Sequence, residues 1–125
     1  MQNIDGVRSE AVKLQQALIE HLKKTGVLTV PEVEAAFRAV PRHLFLPGLP
    51  LEEVYRDQAI TTKVIEGKFV SSSSQPSIMA IMLEQLHVLP GQSVLEIGAG
   101  TGYNAALLAR LVGDKGQVVT IDIDE

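Results

Sequence analysis

Apolar residues recur with helical spacing in the first forty positions of the chain. In the first segment they are three or four residues apart, at Val7, Ala11, Leu14, Leu18 and Leu22. This spacing predicts one face of a helix from about Arg8 to Lys24. Lys23 and Lys24 form a cationic last turn, and Gly26 then stops the helix.

A second, shorter helix is predicted after Thr29. Glu32 follows Thr29 by three residues, with Pro31 between them, and this arrangement resembles a capping box. Pro41 ends the helix because a proline disfavours helical geometry in the residue before it. We expect the buried face of this helix to consist of Val33, Ala36, Phe37 and Val40.

The middle of the chain has turn-rich and β-prone segments. Residues 41–51 contain three prolines and a glycine, which predicts an irregular connector that is partly buried through Leu44, Phe45 and Leu46. The runs 59–65 and 68–72 are separated by Glu66-Gly67, which predicts a β-hairpin.

A third helix is predicted from Gln75-Pro76-Ser77 to about His87, because proline is tolerated in a first helical turn. We expect its core face to consist of Met79, Met82, Leu83 and Leu86. The four serines before it, Ser71–Ser74, can be a flexible polar loop, or Ser74 can be the N-cap of the helix.

The end of the chain predicts a βαβ unit. A strand, Ser93–Ile97, leads through a glycine-rich turn, Gly98–Gly102, into a helix, Tyr103–Val112, and a second strand follows at Gln117–Asp122. Both strands are nearly continuous apolar runs, which is typical of parallel strands covered on both faces.

Composition excludes several classes of protein. The chain has 125 residues, of which 46% are apolar and 21% charged, so a disordered or fibrous protein is excluded. It has no cysteine, so disulfides, thiolate metal sites and a cysteine nucleophile are excluded. A net charge of −4 makes binding to nucleic acid phosphates a poor fit. Without an apolar run of membrane-spanning length or a signal-like N-terminus, we expect a cytoplasmic protein and no membrane partner.

The glycine turn predicts an adenosine-binding site. Gly98, Gly100 and Gly102 lie where a strand passes into a helix, and we expect their backbone N–H groups to face a ligand. Asp122, twenty residues after Gly102, can accept hydrogen bonds from a ribose diol. Tyr103 stands where the dinucleotide fingerprint needs a third glycine or alanine, so a nicotinamide or flavin dinucleotide is disfavoured. The alternative is a tight strand-to-helix connection without a ligand.

With Val94-Leu95-Glu96-Ile97 before it, the turn resembles motif I of the class I S-adenosylmethionine-dependent methyltransferases. Glu96 then belongs near the methionine end of the cofactor, where a carboxylate can offset an ammonium group.

Four elements together resemble the protein-L-isoaspartate (D-aspartate) O-methyltransferases in order and spacing, over roughly residues 28–125. They are Val40-Pro41-Arg42-His43-Leu44-Phe45-Leu46-Pro47, Tyr55 with Asp57, Ser74-Gln75-Pro76, and the motif I run that ends at Tyr103. The resemblance implies an α/β fold, with N-terminal helices followed by the first βαβ unit of a Rossmann-like methyltransferase sheet that is truncated at residue 125. The implied regions are a helical cap, 1–58, a hairpin, serine loop and helix, 59–90, and the start of the S-adenosylmethionine-binding domain, 91–125.

The resemblance also implies roles for individual residues. Ser74 would lie beside the transferable methyl group and the isoaspartyl carboxylate, and Ser72 would supply the hydroxyl of the threonine that is usual there. The cofactor residues would be Glu96, Gly98, Gly100, Gly102, Tyr103 and Asp122. Ser71 replaces a glutamine of the family pattern, which leaves the acceptor open. No metal site is expected. His43 is interpreted as structural, and His21 and His87 as helix-surface residues.

The implied activity is S-adenosylmethionine-dependent O-methylation of isoaspartyl carboxylates in proteins or peptides, as in protein repair. Two alternatives are a methyltransferase for a ribosomal peptide or small molecule, and a non-catalytic cofactor-binding or assembly module. The strand Ser93–Ile97 would have one open edge. We therefore expect either the front part of a longer enzyme or a homodimer paired through that edge, with little activity in residues 1–125 alone.

Overall fold

The structure, a computed structural model, describes residues 4–66 and 68–122. Helices and strands alternate along the chain in an α/β arrangement. The elements are α1 (Ile4–Lys24), α2 (Pro31–Ala39), a 3₁₀ helix (Arg42–Phe45), α3 (Leu51–Val54), β1 (Ile60–Ile65), β2 (Lys68–Ser73), α4 (Pro76–Leu86), β3 (Ser93–Ile97), α5 (Tyr103–Val112) and β4 (Gln117–Ile121).

The core lies where α1, α2, α4 and α5 pack together. The predicted faces of α1 and α2 are confirmed, because their apolar residues from Leu18 to Val40 are largely buried. Helix α1 begins at Ile4, four residues before its predicted start. Buried core residues from the four helices include Leu18, Leu22, Val33, Ala36, Phe37, Met79, Leu83, Leu107 and Leu108.

The predicted capping box of α2 is wrong. The N-cap residue is Val30, and no side chain of its own segment caps the helix. Instead, Glu84 on α4 accepts hydrogen bonds from the Thr29 N–H at 2.7 Å, the Thr29 hydroxyl at 2.8 Å and the Val30 N–H at 2.9 Å. Thr29 and Val30 therefore bond to a residue that is distant in sequence, which a local pattern could not show.

The connector after α2 is more regular than expected. It contains the 3₁₀ helix and α3, and Leu46 is buried as predicted. Leu44, in contrast, is 65% exposed, so its predicted burial is wrong. The buried side chain of the 3₁₀ helix is Arg42, with 0% exposure.

The β-hairpin and helix α4 lie along one side of the candidate site. Strands β1 and β2 pair antiparallel, as predicted, while Gly67 of the predicted turn lies outside the described residues. Helix α4 has Gln75 as its N-cap, so the alternative that placed Ser74 there is wrong. Met82 and Leu86 are exposed, which contradicts their predicted place in the core.

Strands β3 and β4 form a parallel pair, as predicted, with Ser93 opposite Gln117 and Ile97 opposite Ile121. Val94 and Val118 pack against the core. The other face is open among the described residues, so the prediction that both faces are covered is wrong for this part of the chain. The exposed residues of that face are Leu95, Ile97, Val119 and Ile121.

None of the helices described by the structure combines the length and the apolar character that a membrane crossing requires.

Candidate functional site

A cavity of about 420 Å³ lies between the end of the hairpin, α4, and the turn from β3 to α5. Three stretches that are distant in sequence form its walls. The serines at the end of β2 form one side, Met79, Met82 and Leu86 of α4 form an apolar side, and residues 95–104 form the third. The predicted acceptor side and the predicted cofactor side therefore border one space.

Three backbone N–H groups of the glycine turn donate hydrogen bonds to the last residue of β4 or to the residue after it, so they are not open to a ligand. The N–H groups of Gly98 and Ala99 donate to the Ile121 carbonyl at 2.7 and 3.3 Å, and the Gly100 N–H donates to the Asp122 carboxylate at 2.7 Å. The expectation that the N–H groups of Gly98 and Gly100 face a ligand is therefore wrong. The Gly102 N–H likewise donates within the turn, to the Ala99 carbonyl at 3.0 Å.

Glycine is required in this turn by backbone conformation. Gly98 has φ +88° and Gly102 has φ +90°, a region that L side chains rarely adopt. Gly100 has φ +56°, and a Cβ built there would lie 3.6 Å from the Ser72 carbonyl oxygen, which is an ordinary contact. The turn thus lies close to the serine segment. A Cβ at Gly100 would fit in the space there, so the positive φ and not a steric clash favours glycine.

Glu96 presents one carboxylate oxygen without a partner among the described residues. Its Oε2 accepts a hydrogen bond from Asn104 Nδ2 at 2.7 Å, while its Oε1 is buried and makes none. A buried, unpaired carboxylate oxygen is costly unless a donor fills the space in front of it. Glu96 also lines the cavity, so a cationic or N–H donor bound there fits this oxygen. Asn104 was missed, because an amide on an amphipathic helix carries no distinguishing pattern.

The elements that carry the family resemblance contact one another. The Asp57 carboxylate accepts the Ser77 N–H at 2.8 Å, and the Asp57 carbonyl accepts Gln75 Nε2 at 2.9 Å. The ring nitrogen Nδ1 of His43 lies 2.7 Å from the Tyr55 hydroxyl, which confirms a structural position for this histidine. Residues far apart in sequence therefore hold the start of α4, directly after the serine segment.

Arg42 joins these elements to the glycine turn. Its Nε donates to the Val54 carbonyl at 2.9 Å and its Nη2 to the Ser74 carbonyl at 3.2 Å. The guanidinium carbon lies 5.0 Å from the centre of the Tyr103 ring, within the range of a cation–π contact. The Tyr103 ring also packs against Phe37 and Phe45, with centroids 6.5 and 5.7 Å away.

Burial shifts the pKa values of this cluster. Burial raises the pKa of Tyr103, and the nearby Arg42 charge lowers it by less, so the phenol stays protonated at neutral pH. Burial also raises the pKa of Tyr55, against hydrogen bonds from the His43 and Arg42 backbone. Burial lowers the pKa of Arg42, which Tyr103 opposes. The guanidinium nonetheless stays charged because its reference pKa is far above neutral.

The structure brings most of the predicted site residues together. The cavity is lined by Ser72, Ser74, Glu96, Gly98, Gly100 and Tyr103. Gly102 lies beside the cavity in the turn, and a Cβ built on it would lie 3.8 Å from the Phe45 ring. The Asp122 carboxylate accepts a hydrogen bond from the Gly100 N–H. The side chain of Ser71 lies outside the described part of the molecule. No group of three or more potential metal ligands occurs in that described part.

Sequence comparisons show which known proteins this chain resembles. A family model described as protein-L-isoaspartate(D-aspartate) O-methyltransferase (PCMT) matches residues 13–125. The protein-L-isoaspartate O-methyltransferase of Thermotoga maritima is 43% identical over 110 residues, which cover 87% of this chain and 34% of that protein. That of Methanopyrus kandleri is 38% identical, covering 88% of this chain and 46% of that protein. The chain thus spans about a third to a half of the length of these relatives.

Solved structures agree with the fold. A protein-L-isoaspartate O-methyltransferase structure superposes with a TM-score of 0.75 at 41% identity, covering 86% of this chain and 33% of that one. A Plasmodium falciparum protein described as the same enzyme, in complex with S-adenosyl-L-homocysteine, superposes with a TM-score of 0.69 at 21% identity and shows the fold alone. The α/β methyltransferase fold predicted from the motifs is confirmed, as is the family. The chain belongs to the protein-L-isoaspartate(D-aspartate) O-methyltransferase family.

Proposed function

We propose that the protein, as a whole, transfers a methyl group from S-adenosylmethionine to the carboxylate of isoaspartyl residues in proteins or peptides. The observation that carries this proposal is the shared cavity, which has Ser72 and Ser74 on one side and Glu96 with the glycine turn on the other. The names of the relatives support the same reaction for the complete protein.

The residues present fit an adenosyl cofactor with a methionine tail. Glu96 Oε1 is a buried acceptor without a donor among the described residues, and it suits the ammonium group of such a tail. Asp122 lies at the C-terminal end of β4, where its carboxylate can reach a ribose diol while it holds the Gly100 N–H. Bound S-adenosylmethionine supplies a methyl group on a positively charged sulfur.

The chain then has to position the acceptor rather than activate it. A carboxylate has a reference pKa near 4, so it is ionised and nucleophilic at neutral pH without a general base. Ser74 can orient this carboxylate through its hydroxyl, and Met82 and Leu86 belong to the apolar side of the same cavity. Orientation alone supplies roughly 7 to 11 kcal/mol in the best intramolecular reactions.

The test separates binding from transfer in the complete natural protein. Calorimetry with S-adenosylhomocysteine measures the cofactor site, and radiolabelled methyl transfer to an isoaspartyl peptide, with the matching aspartyl peptide as control, measures the reaction. We expect binding and transfer to the isoaspartyl peptide only. Binding with no transfer to any acceptor would favour a non-catalytic module, and transfer to another acceptor would correct the substrate class.

The Ser74→Ala variant tests the acceptor side directly. We expect the transfer rate to fall by about tenfold, equivalent to about 1.4 kcal/mol of barrier, while the affinity for S-adenosylhomocysteine is unchanged. The control is Ser77→Ala on α4, because Ser77 contacts Asp57 through its backbone N–H. A full transfer rate in Ser74→Ala would remove Ser74 from the mechanism.

A further inference from the structure

Arg42 is a charged side chain without any exposed surface, and its acceptors are not carboxylates. Its guanidinium bonds to the carbonyl oxygens of Val54 and Ser74, and Nη1 lies 3.9 Å from the Met79 sulfur. Burying a charge whose hydrogen-bond acceptors are neutral is costly, even with the Asp57 charge nearby, and an apolar side chain of similar volume could fill the same space. Packing alone therefore does not account for a guanidinium at this place.

The groups that Arg42 contacts belong to opposite walls of the cavity. Ser74 ends the serine segment on the proposed acceptor side, whereas Tyr103 begins α5 directly after the glycine turn. One planar group bonds to the Ser74 carbonyl while it stacks over the Tyr103 ring. Because the guanidinium is rigid, the separation of the two walls depends on it.

The hydrogen bonds to Asp57 hold residues that follow Ser74 in the chain. Asp57 holds Gln75 and Ser77, and Gln75 rather than Ser74 caps α4. The Ser74 carbonyl itself is held by Arg42. Loss of the Arg42 guanidinium would therefore leave the start of α4 in place but release Ser74, whose side chain lines the cavity.

We propose that Arg42 is a positioning residue that fixes Ser74 relative to the cofactor turn, and this inference rests on the proposed methyl transfer. Arg42 contacts the Ser74 backbone and the Tyr103 ring, and it acts on the reaction through them. A displacement of about 1 Å at a reacting centre can lower a rate by about a hundredfold. Freeing Ser74 thus lowers kcat much more than cofactor affinity.

The experiment compares Arg42→Lys and Arg42→Met with the parent in the complete natural protein. The control is Arg38→Lys, a half-exposed arginine of α2 that pairs with Glu34. We expect kcat on the isoaspartyl peptide to fall at least tenfold in Arg42→Lys, with the Kd for S-adenosylhomocysteine within about threefold of the parent. A crystal structure of Arg42→Lys should show Ser74 displaced by about 1 Å relative to the Tyr103 ring.

The outcomes separate this inference from the proposed function. Unchanged kcat and an unmoved Ser74 in a folded Arg42→Lys variant would overturn the positioning role, as would a loss of melting temperature alone. If the parent transfers no methyl group, the proposed function fails, and the position of Ser74 in the crystal structures of parent and Arg42→Lys still decides whether Arg42 anchors that residue.

A second modification covers the case in which Arg42 variants do not fold. Replacing the amide between Ser74 and Gln75 by an ester weakens the Ser74 carbonyl as an acceptor and leaves every side chain in place. The same fall in kcat at constant cofactor affinity is expected, and an unchanged kcat would overturn the proposal.

Discussion

Asp122 shows how one side chain at the candidate site can serve both structure and binding. Its carboxylate accepts the Gly100 N–H at 2.7 Å and lies where a ribose diol is expected. We predict that Asp122→Ala weakens S-adenosylhomocysteine binding by about 1 to 3 kcal/mol, because a charged acceptor is lost. Asp122→Asn keeps an oxygen for Gly100 and should lose less. Titration calorimetry measures both, and equal affinity in parent and Asp122→Ala would exclude a ribose contact.

Gly100 tests the backbone of the turn at the same scale. We predict that Gly100→Val abolishes cofactor binding because a β-branched residue is strained at φ +56° and reshapes the turn. The matched control is Gly26→Val after α1, where φ is +81° and a Cβ meets nothing within 4 Å. The control should lose stability but bind S-adenosylhomocysteine normally in calorimetry. Equal binding by both variants would contradict the assignment of the turn.

At the scale of elements, Glu84 joins α4 to the chain just before α2. Burial by itself raises the pKa of Glu84, but hydrogen bonds from Val30 and Thr29 outweigh it, so the net pKa is lowered from 4.5. A lowered folded-state pKa means that the stabilisation is present at neutral pH. It is lost as the pH falls below the unfolded value and through the folded one.

We predict that Glu84→Gln lowers the free energy of unfolding at neutral pH by about 1 kcal/mol, since the bonds persist without the charge and solvent screens the site. The parent should lose this advantage between neutral and acidic pH, so the two stability curves converge below about pH 4. Urea unfolding across pH measures this, with Glu10→Gln on the exposed surface of α1 as the control. Parallel curves would refute the role of Glu84.

The same scale shows what sequence patterns can predict. The spacing of apolar residues identified α1 and α2, which each bury one face, and nearly continuous apolar runs identified β3 and β4. Caps and buried charges were not predictable, since Glu84 and Arg42 bond to residues brought close only by the fold. Six residues that the motifs indicated line the cavity, but the motifs did not predict Asn104 or how the turn uses its N–H groups.

At the scale of the whole molecule, the exposed β3–β4 pair determines whether the chain is expected to associate with other copies. Its outer face is apolar, with Ile97 78% exposed, and β3 pairs only with β4 among the described residues. Exposed apolar patches and unpaired strand edges favour association, and a two-stranded sheet is marginal alone. Whatever covers this face in the complete protein would also complete the cavity wall that Leu95 and Ile97 begin.

We predict that a polypeptide of residues 1–125 associates with increasing concentration and transfers little or no methyl group. The exposed apolar face of β3 and β4 favours association, and the same open face leaves the acceptor wall of the cavity incomplete. Light scattering should show a dimer or larger species, and Ile97→Lys should reduce association without changing helical content measured by circular dichroism. Val12→Lys on exposed α1 is the control and should associate like the parent polypeptide. A monomer at every concentration that methylates isoaspartyl peptides at the rate of a complete enzyme would contradict both parts.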